Sequence, residues 1–298
     1  MDHKLNHAEI KLFRFGNFEN EKPAVEYPDG TQIDVSEFGE DFNEQFFASD
    51  GVRRLQSWLE INGHKCNEIP TNSRFGSCVA RPSKIVAIGL NYIDHITETG
   101  GSATLTSRER EPVIFLKATT CLCGPFDNVK IPKNSEKLDW EAELAIVISK
   151  RASYISESEA VNHVAGYSIM NDYSERAWQL EKSGRQWDKG KGCDTFGPLG
   201  PYLVLPQNVG NPQALNISLT VNGELMQSSN TKNMIFSIPH LISYTTHFMT
   251  LLPGDVIITG TPAGVGLGRT PQQFLKEGDV VESYIENVGI QRQIVAKS

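Results

Sequence analysis

Two carboxylates separated by one residue, Glu141 and Glu143, stand at the start of an apolar, β-branched run that continues through Ile148. Such a run reads as a buried strand. Residues i and i+2 of a strand share a face with their Cα atoms roughly 6.6 Å apart, so Glu141 and Glu143 can reach one ion between them. Asp139 and Leu144 are set on other phases. The same spacing also fits a strand whose outer face carries two solvated glutamates. Asp172 adds weight to the first reading: it follows a second apolar run, residues 164–170, and a helix over 173–182 is expected to begin beside it. Asp172 with Glu175 makes a capping box, which needs no metal. If the helix starts there, Asp172, Arg176 and Gln179 also project along one face as carboxylate, guanidinium and amide. Three carboxylates at one point would repel one another and retain protons unless a cation sat among them. All-oxygen ligation suits Mg²⁺, Mn²⁺ or Ca²⁺ rather than zinc.

Other side chains could move protons or meet an anion. His95 and Glu98 are three apart; on a helix they share a face, and a carboxylate beside an imidazole orients it and raises its basicity. That is a general-base arrangement, or a surface His–Glu pair. Residues 184–192 gather Arg185, Lys189 and Lys191 among glycines. This is either a solvated loop or one in which the backbone approaches a ligand closely while an amine meets an oxyanion. Residues 260–268 are Gly-rich without Gly-Lys-Ser/Thr and without a G-x-G-x-x-G opening a helix, which excludes a nucleotide loop. A turn offering backbone N–H groups and the Thr261 hydroxyl to a carboxylate fits better.

These groups must be positioned by a fold. The 298 residues allow one large domain, or a large and a small one, and 39% hydrophobic content supports a core. A net charge of −8 argues against nucleic acid or an anionic membrane as the main partner. The odd count of five cysteines, without C-x-x-C spacing, supports neither a disulfide frame nor a zinc site. The start of the chain is polar, and no apolar run approaches the roughly 20 residues of a membrane span, so a cytoplasmic location is expected. Short strands at 10–15 and 24–27 and a helix over 51–62 precede a joint at Arg81-Pro82-Ser83, placing a domain boundary near residue 79: a small N-terminal α+β domain (1–79) and a catalytic domain (80–298). Strands follow at 84–89 and 113–117, with residues 97–112 between them as a mobile loop. Alternation from Leu215 to Val221 running into Asn222-Gly223 signals a hairpin. A helix opens at Ser237 and closes near Pro253-Gly254, and a strand follows at 256–259. The pattern is mixed α+β, mainly antiparallel β, without the regular βαβ alternation of a dinucleotide fold.

Five motifs occur in an order that resembles the fumarylacetoacetate hydrolase superfamily. They are Asn91-Tyr92-x-Asp94-His95-x-x-Glu98, Phe115-Leu116-Lys117, Glu141-x-Glu143, Asn171-Asp172 with Arg176 and Gln179, and Thr259-Gly260-Thr261-Pro262-x-Gly264-Val265-Gly266. Together they place the likeness over residues 84–298. The resemblance implies a β-roll catalytic domain, a homodimer, and a divalent ion (Mg²⁺ or Mn²⁺) held by Glu141, Glu143 and Asp172. It further implies a base dyad of His95 and Glu98 on a lid over residues 93–111, and a catalytic lysine at Lys191. Lys117, Arg176, Gln179 and Thr261 would bind substrate. Within the superfamily, residues 187–198 and the N-terminal segment are most similar to bacterial 2,4-diketo-3-deoxy sugar-acid hydrolases of fuconate and rhamnonate breakdown, which carry serine where Gly192 stands. The implied reaction is hydrolysis of the C3–C4 bond of a 2,4-diketo acid to pyruvate and a carboxylic acid, with Gln179, Asp194 and Thr195 as candidates to meet the sugar hydroxyls. Two rivals stand beside it: oxaloacetate decarboxylation or keto-acid tautomerisation on the same site, and a non-catalytic protein that binds metal and keto acid.

Overall fold

The structure, a computed structural model, describes residues 7–98, 111–182, 184 and 186–298, with Ile96 and Thr97 described by their backbone alone. In chain order the strands are β1 (Lys11–Phe15), β2 (Lys22–Glu26), β3 (Gln32–Asp34), β4 (Ile85–Gly89), β5 (Val113–Lys117), β6 (Leu122–Cys123), β7 (Val129–Ile131), β8 (Leu138–Asp139) and β9 (Ala142–Ile148). They continue as β10 (Val164–Asn171), β11 (Ser174–Glu175), β12 (Gly197–Val204), β13 (Asn216–Val221), β14 (Glu224–Asn230), β15 (Val256–Ile258), β16 (Val280–Ile285) and β17 (Gly289–Lys297).

A large sheet runs in the order β3-β2-β1-β12-β10-β9-β15-β4-β5, with β6 added beside β12. Its pairings are antiparallel except β15 with β4 and β12 with β6. A second sheet runs β14-β13-β16-β17-β7, and β8 pairs β11 on its own. The architecture is mixed α+β and mainly sheet, as the strand-rich pattern predicts. The three N-terminal strands belong to the same sheet as β12, because β1 pairs Lys11 with Val204.

β9 and β10 lie at the centre, and every residue of both is buried. The large sheet surrounds them edge to edge, and β13, β16 and β17 of the second sheet pack across them. This is why their sequences read as continuous apolar runs rather than alternating ones. Burying Leu144, Ile146 and Ile148 is worth about 1.5–3 kcal/mol each, and a one-residue slip would exchange the faces of all of them together with Glu143. The register that places the carboxylates is therefore held by the core.

The 51–62 helix and the hairpin form where expected: Gly51–Asn62 is helical, and Asn222 (φ 52°) with Gly223 (φ 79°) makes the turn between β13 and β14. That pair of positive φ angles is what an Asn-Gly two-residue turn requires. The helix opening at Ser237 is shorter than expected, Ile238–Thr245. Among the described residues, no helix is long and apolar enough to cross a membrane.

Candidate active site

The antiparallel pairing of β9 and β10 decides where the carboxylates meet. β10 ends where β9 begins, with Met170 facing Glu143 and Asn171 facing Ala142. Asp172, one residue on, donates its N–H to Glu141 O at 2.8 Å. Glu141 stands just before the regular strand and is kept in line by its own N–H, which donates to Asn171 Oδ1 at 2.9 Å. Glu141, Glu143 and Asp172 thereby bring one carboxylate oxygen each to within 4.8 Å of one another, all three buried.

Cations crowd two of these three. Lys191 Nζ donates to Glu141 Oε2 and Asp172 Oδ2, each at 2.7 Å. Lys117 Nζ donates to Asp172 Oδ1 at 2.5 Å and to the Lys191 carbonyl. Arg176 donates from Nε to Asp139 Oδ2 at 2.7 Å and from Nη1 to Gln179 Oε1 at 2.9 Å, and its Nη2 forms an ion pair with Glu141 Oε1 at 2.7 Å. Among the described residues Glu143 is the triad member without an ion pair, and its Oε2 accepts from Gly260 N at 2.6 Å.

Four buried carboxylates (Asp139, Glu141, Glu143, Asp172) thus face three buried cations (Lys117, Lys191, Arg176). The imbalance falls on Glu143. Burial, with the Asp172 and Glu141 carboxylates beside it, holds the Glu143 carboxyl well above the usual carboxylate range. Glu141 goes the other way: burial pushes it up, but the Lys191 ammonium and the Arg176 guanidinium outweigh that and bring it to about 2. For Lys117, burial opposes the charge, yet Asp172, with smaller contributions from Cys121 and Glu141, offsets it and raises the amine above its ordinary value. Three buried carboxylates, one of which is held in its protonated form for want of a counter-cation, offer all-oxygen donors that fit a hard divalent cation, which would take the place of that proton.

His95 and Glu98 lie on the helix Ile93–Glu98, which follows β4. His95 Nδ1 is 3.5 Å from Glu98 Oε2, and both Glu98 oxygens accept from Gly264 N at 2.9–3.0 Å. Asn91 of the same motif is a brace: its amide donates to Thr259 O and Phe236 O and accepts from Phe236 N. Of the lid expected over 93–111, residues 99–110 lie outside the described residues, as does Arg185 of the basic stretch.

The structure alters several local expectations. The helix predicted over 173–182 does not start at Asp172. Ser174–Glu175 pairs with β8, and only 177–181 coils, as a π-helical turn. No capping box forms, because Glu175 accepts instead from Ser135 Oγ and the N–H groups of Glu136, Lys137 and Ala177. Arg176 and Gln179 still meet, but across the π turn. Gly190 serves packing rather than ligand approach, since a Cβ there would lie 2.6 Å from Gln179 Cβ and from Glu175 O. A side chain at Gly192 would meet Asp188 O at 3.0 Å and Ala118 Cβ at 3.3 Å. The single proton of the Thr261 hydroxyl goes to Ala142 O at 2.9 Å, and Thr261 Oγ1 accepts from Gln227 Nε2 at 2.8 Å. In this geometry Thr261 anchors the turn to β9. The turn's N–H groups meet the protein's own carboxylates, Glu143 and Glu98. Asp194 is exposed, and Thr195 Oγ1 accepts from Lys130 N at 2.9 Å.

Two residues of the site escape the sequence reading. Asp139, expected on another phase, shares the parity of Glu141 and Glu143 and reaches the same centre through Arg176; the i, i+2, i+4 series is the signal that marks it. Gln227, from the edge strand β14, closes the site floor by accepting from Ala142 N at 3.0 Å and donating to Pro262 O at 2.8 Å. Nothing local in the sequence marks it.

Comparison with known proteins adds the following. The sequence family described as Fumarylacetoacetate (FAA) hydrolase C-terminal matches residues 84–296. The chain is 43% identical over 285 residues to a protein of Burkholderia lata named, provisionally, a hydrolase, spanning 95% of this chain and 98% of that protein. Among solved structures, a fumarylacetoacetate hydrolase from Exiguobacterium antarcticum superposes with a TM-score of 0.84 at 31% identity, covering 97% of this chain and 100% of that one. Maleylpyruvate hydrolase from Sphingobium sp. SYK-6, solved with manganese(II) and pyruvate, gives 0.79 at 27% identity, covering 97% and 99%.

Proposed function

The chain belongs to the fumarylacetoacetate hydrolase family, and from that premise we propose that it is a divalent-metal-dependent hydrolase cleaving the C3–C4 bond of a 2,4-diketo-3-deoxy sugar acid to pyruvate and a carboxylic acid. The observation that carries the reading is the buried triad of Glu141, Glu143 and Asp172, which with Asp139 gives one negative charge in excess over Lys117, Lys191 and Arg176 once Glu143 gives up its proton, with Lys191 against it and the His95–Glu98 pair on the adjoining helix. A divalent ion would turn that excess into a single positive charge, which the carboxylate of a 2-keto acid neutralises. An anionic substrate and the ion therefore suit each other here, in a chain whose overall charge is negative.

Bound by Glu141, Glu143 and Asp172, Mg²⁺ or Mn²⁺ would polarise the C2 carbonyl and take up the enolate charge that develops there. His95, with Nδ1 turned to Glu98, takes a proton from water at its other ring nitrogen. The hydroxide adds to C4. Lys191, helped by Gln179, stabilises the oxyanion at C4. As the C4 carbonyl re-forms, the C3–C4 bonding pair passes into the enolate of pyruvate, and C3 takes up the proton that His95 drew from water, which gives the keto form and restores the base. Lys117 and Arg176 hold the carboxylate groups of the site in place and, with Thr261 anchoring the adjoining turn, shape the substrate's seat. A cytoplasmic homodimer completes the proposal.

The sugar-acid end rests on the similarity of residues 187–198 to that branch and on chemistry. All these substrates share the diketo core, so discrimination lies at the far end, and a site built for hydroxyls rejects analogues lacking them by several powers of ten. The test is kcat/KM, read as pyruvate release with and without Mg²⁺, for a 2,4-diketo-3-deoxy sugar acid, a plain acylpyruvate, fumarylacetoacetate and oxaloacetate. We expect the sugar acid to lead. Preference for an unhydroxylated diketo acid would remove the sugar assignment, and turnover of oxaloacetate alone would remove the hydrolase.

A further inference from the structure

We infer that Asp139 is a positioning residue that couples the cation-holding half of the site to its proton-moving half; this rests on the reading of Glu141, Glu143 and Asp172 as cation ligands and of His95 and Glu98 as the base pair. Asp139 is fully buried and hydrogen-bonds directly to Arg176 but to none of Glu141, Glu143, Asp172, Lys191, His95 or Glu98, which it reaches only through other groups. Its Oδ1 accepts from Trp140 N at 2.8 Å and Gly266 N at 2.7 Å, and its Oδ2 from Leu267 N at 3.0 Å and Arg176 Nε at 2.7 Å. Four donors saturate the roughly four lone-pair sites of a carboxylate.

These bonds lead in two directions. Through Arg176 they reach Glu141 Oε1, 2.7 Å from Nη2, and Gln179. Through Gly266 and Leu267 they hold the loop 264–268, whose first N–H grips both oxygens of Glu98, the partner of His95. The loop has no room to absorb a shift. A Cβ on Gly264 (φ +105°) would lie 1.9 Å from Met226 O, one on Gly266 would lie 1.9 Å from Gln273 O and 2.8 Å from Asp139 Oδ1, and one on Gly268 would lie 2.3 Å from Glu98 Cδ. Glu98 thus lies against both ends of one tightly packed glycine loop, and Asp139 holds its middle. A displacement at Asp139 moves Arg176 and the loop together, and so alters Glu141 and Glu98 at once.

The experiment compares wild type with Asp139→Asn, which puts an NH₂ where donors now point. Calorimetry with Mn²⁺ alone, and kcat and KM at saturating Mn²⁺, are measured on protein shown folded by circular dichroism. We expect Mn²⁺ affinity and kcat each to fall by about 10–100-fold, as for other groups that orient metal ligands, with KM little changed. In a cycle with Glu98→Gln the losses in kcat should be less than additive, because both act through the loop. Wild-type Mn²⁺ affinity and kcat with only a lowered Tm would reduce Asp139 to a structural role and overturn the inference. Failure of the wild-type chain itself to bind Mn²⁺ would instead overturn the underlying site. Should Asp139→Asn not fold, Asp139→Glu, which keeps the charge but shifts both oxygens by a methylene, is read in the same way.

Discussion

Replacing Glu143 with glutamine separates the electrostatics of the site from its architecture. Glu143 is buried beside two other carboxylates whose ligand oxygens lie within 4.8 Å, and it is the member without an ion pair among the described residues. At an effective dielectric of 20, two unit charges at that separation repel by about 3.5 kcal/mol. Burial, together with that repulsion, holds its carboxyl well above the usual carboxylate range. Glutamine matches the protonated acid in size, and its oxygen can still accept from Gly260 N. In EDTA, Glu143→Gln should therefore leave Tm within about 2–4 °C of wild type, the shift that roughly 1 kcal/mol makes in a domain of this order. With Mn²⁺ the two should part. At 100 times its dissociation constant a ligand adds about 2.7 kcal/mol, so wild type should gain roughly 5–10 °C, whereas Glu143→Gln should gain next to nothing and lose metal-dependent turnover. Differential scanning fluorimetry over an Mn²⁺ titration reads both arms. A full-size Mn²⁺ gain in the variant would place the ion elsewhere. A loss of many degrees in EDTA would show that the charged form supports the fold, contrary to the argument from repulsion.

Two further substitutions probe the base pair and the turn. His95→Ala should lower kcat by about 10²–10⁴-fold while oxalate binding, followed by calorimetry in Mn²⁺, changes little; parallel losses would make His95 a binding group only. Thr261→Val removes one donor and one acceptor from a buried bridge between Ala142 and Gln227, which should cost about 1–3 kcal/mol and leave KM nearly unchanged. A raised KM at wild-type Tm would return the hydroxyl to the substrate.

Much of this site was legible in the linear chain because strand and helix periodicities are short-range rules. Glu141 and Glu143 share a strand face by the period of two, His95 and Glu98 face each other by the period of a helix, and the apolar runs that became β9 and β10 are continuous because both faces of each strand are covered. The Asn222-Gly223 turn follows from backbone sterics alone. Where the sequence reading failed, two local preferences competed and a distant partner settled the matter. Residues 173–182 have a helix start signal, yet Glu175 is claimed by the backbone of 136–137 and Ser174 by β8, so only a π turn remains. Thr261 could face a ligand or the scaffold, and Gln227, thirty-four residues earlier, holds it to the scaffold. The meeting of Asp172 with Glu141, the ammonium of Lys191 between them, and the tie from Asp139 through a glycine loop to Glu98 join chain segments that no periodicity relates. Their placement is set by which strands pair and in what register, and that is decided by burial summed over the whole core.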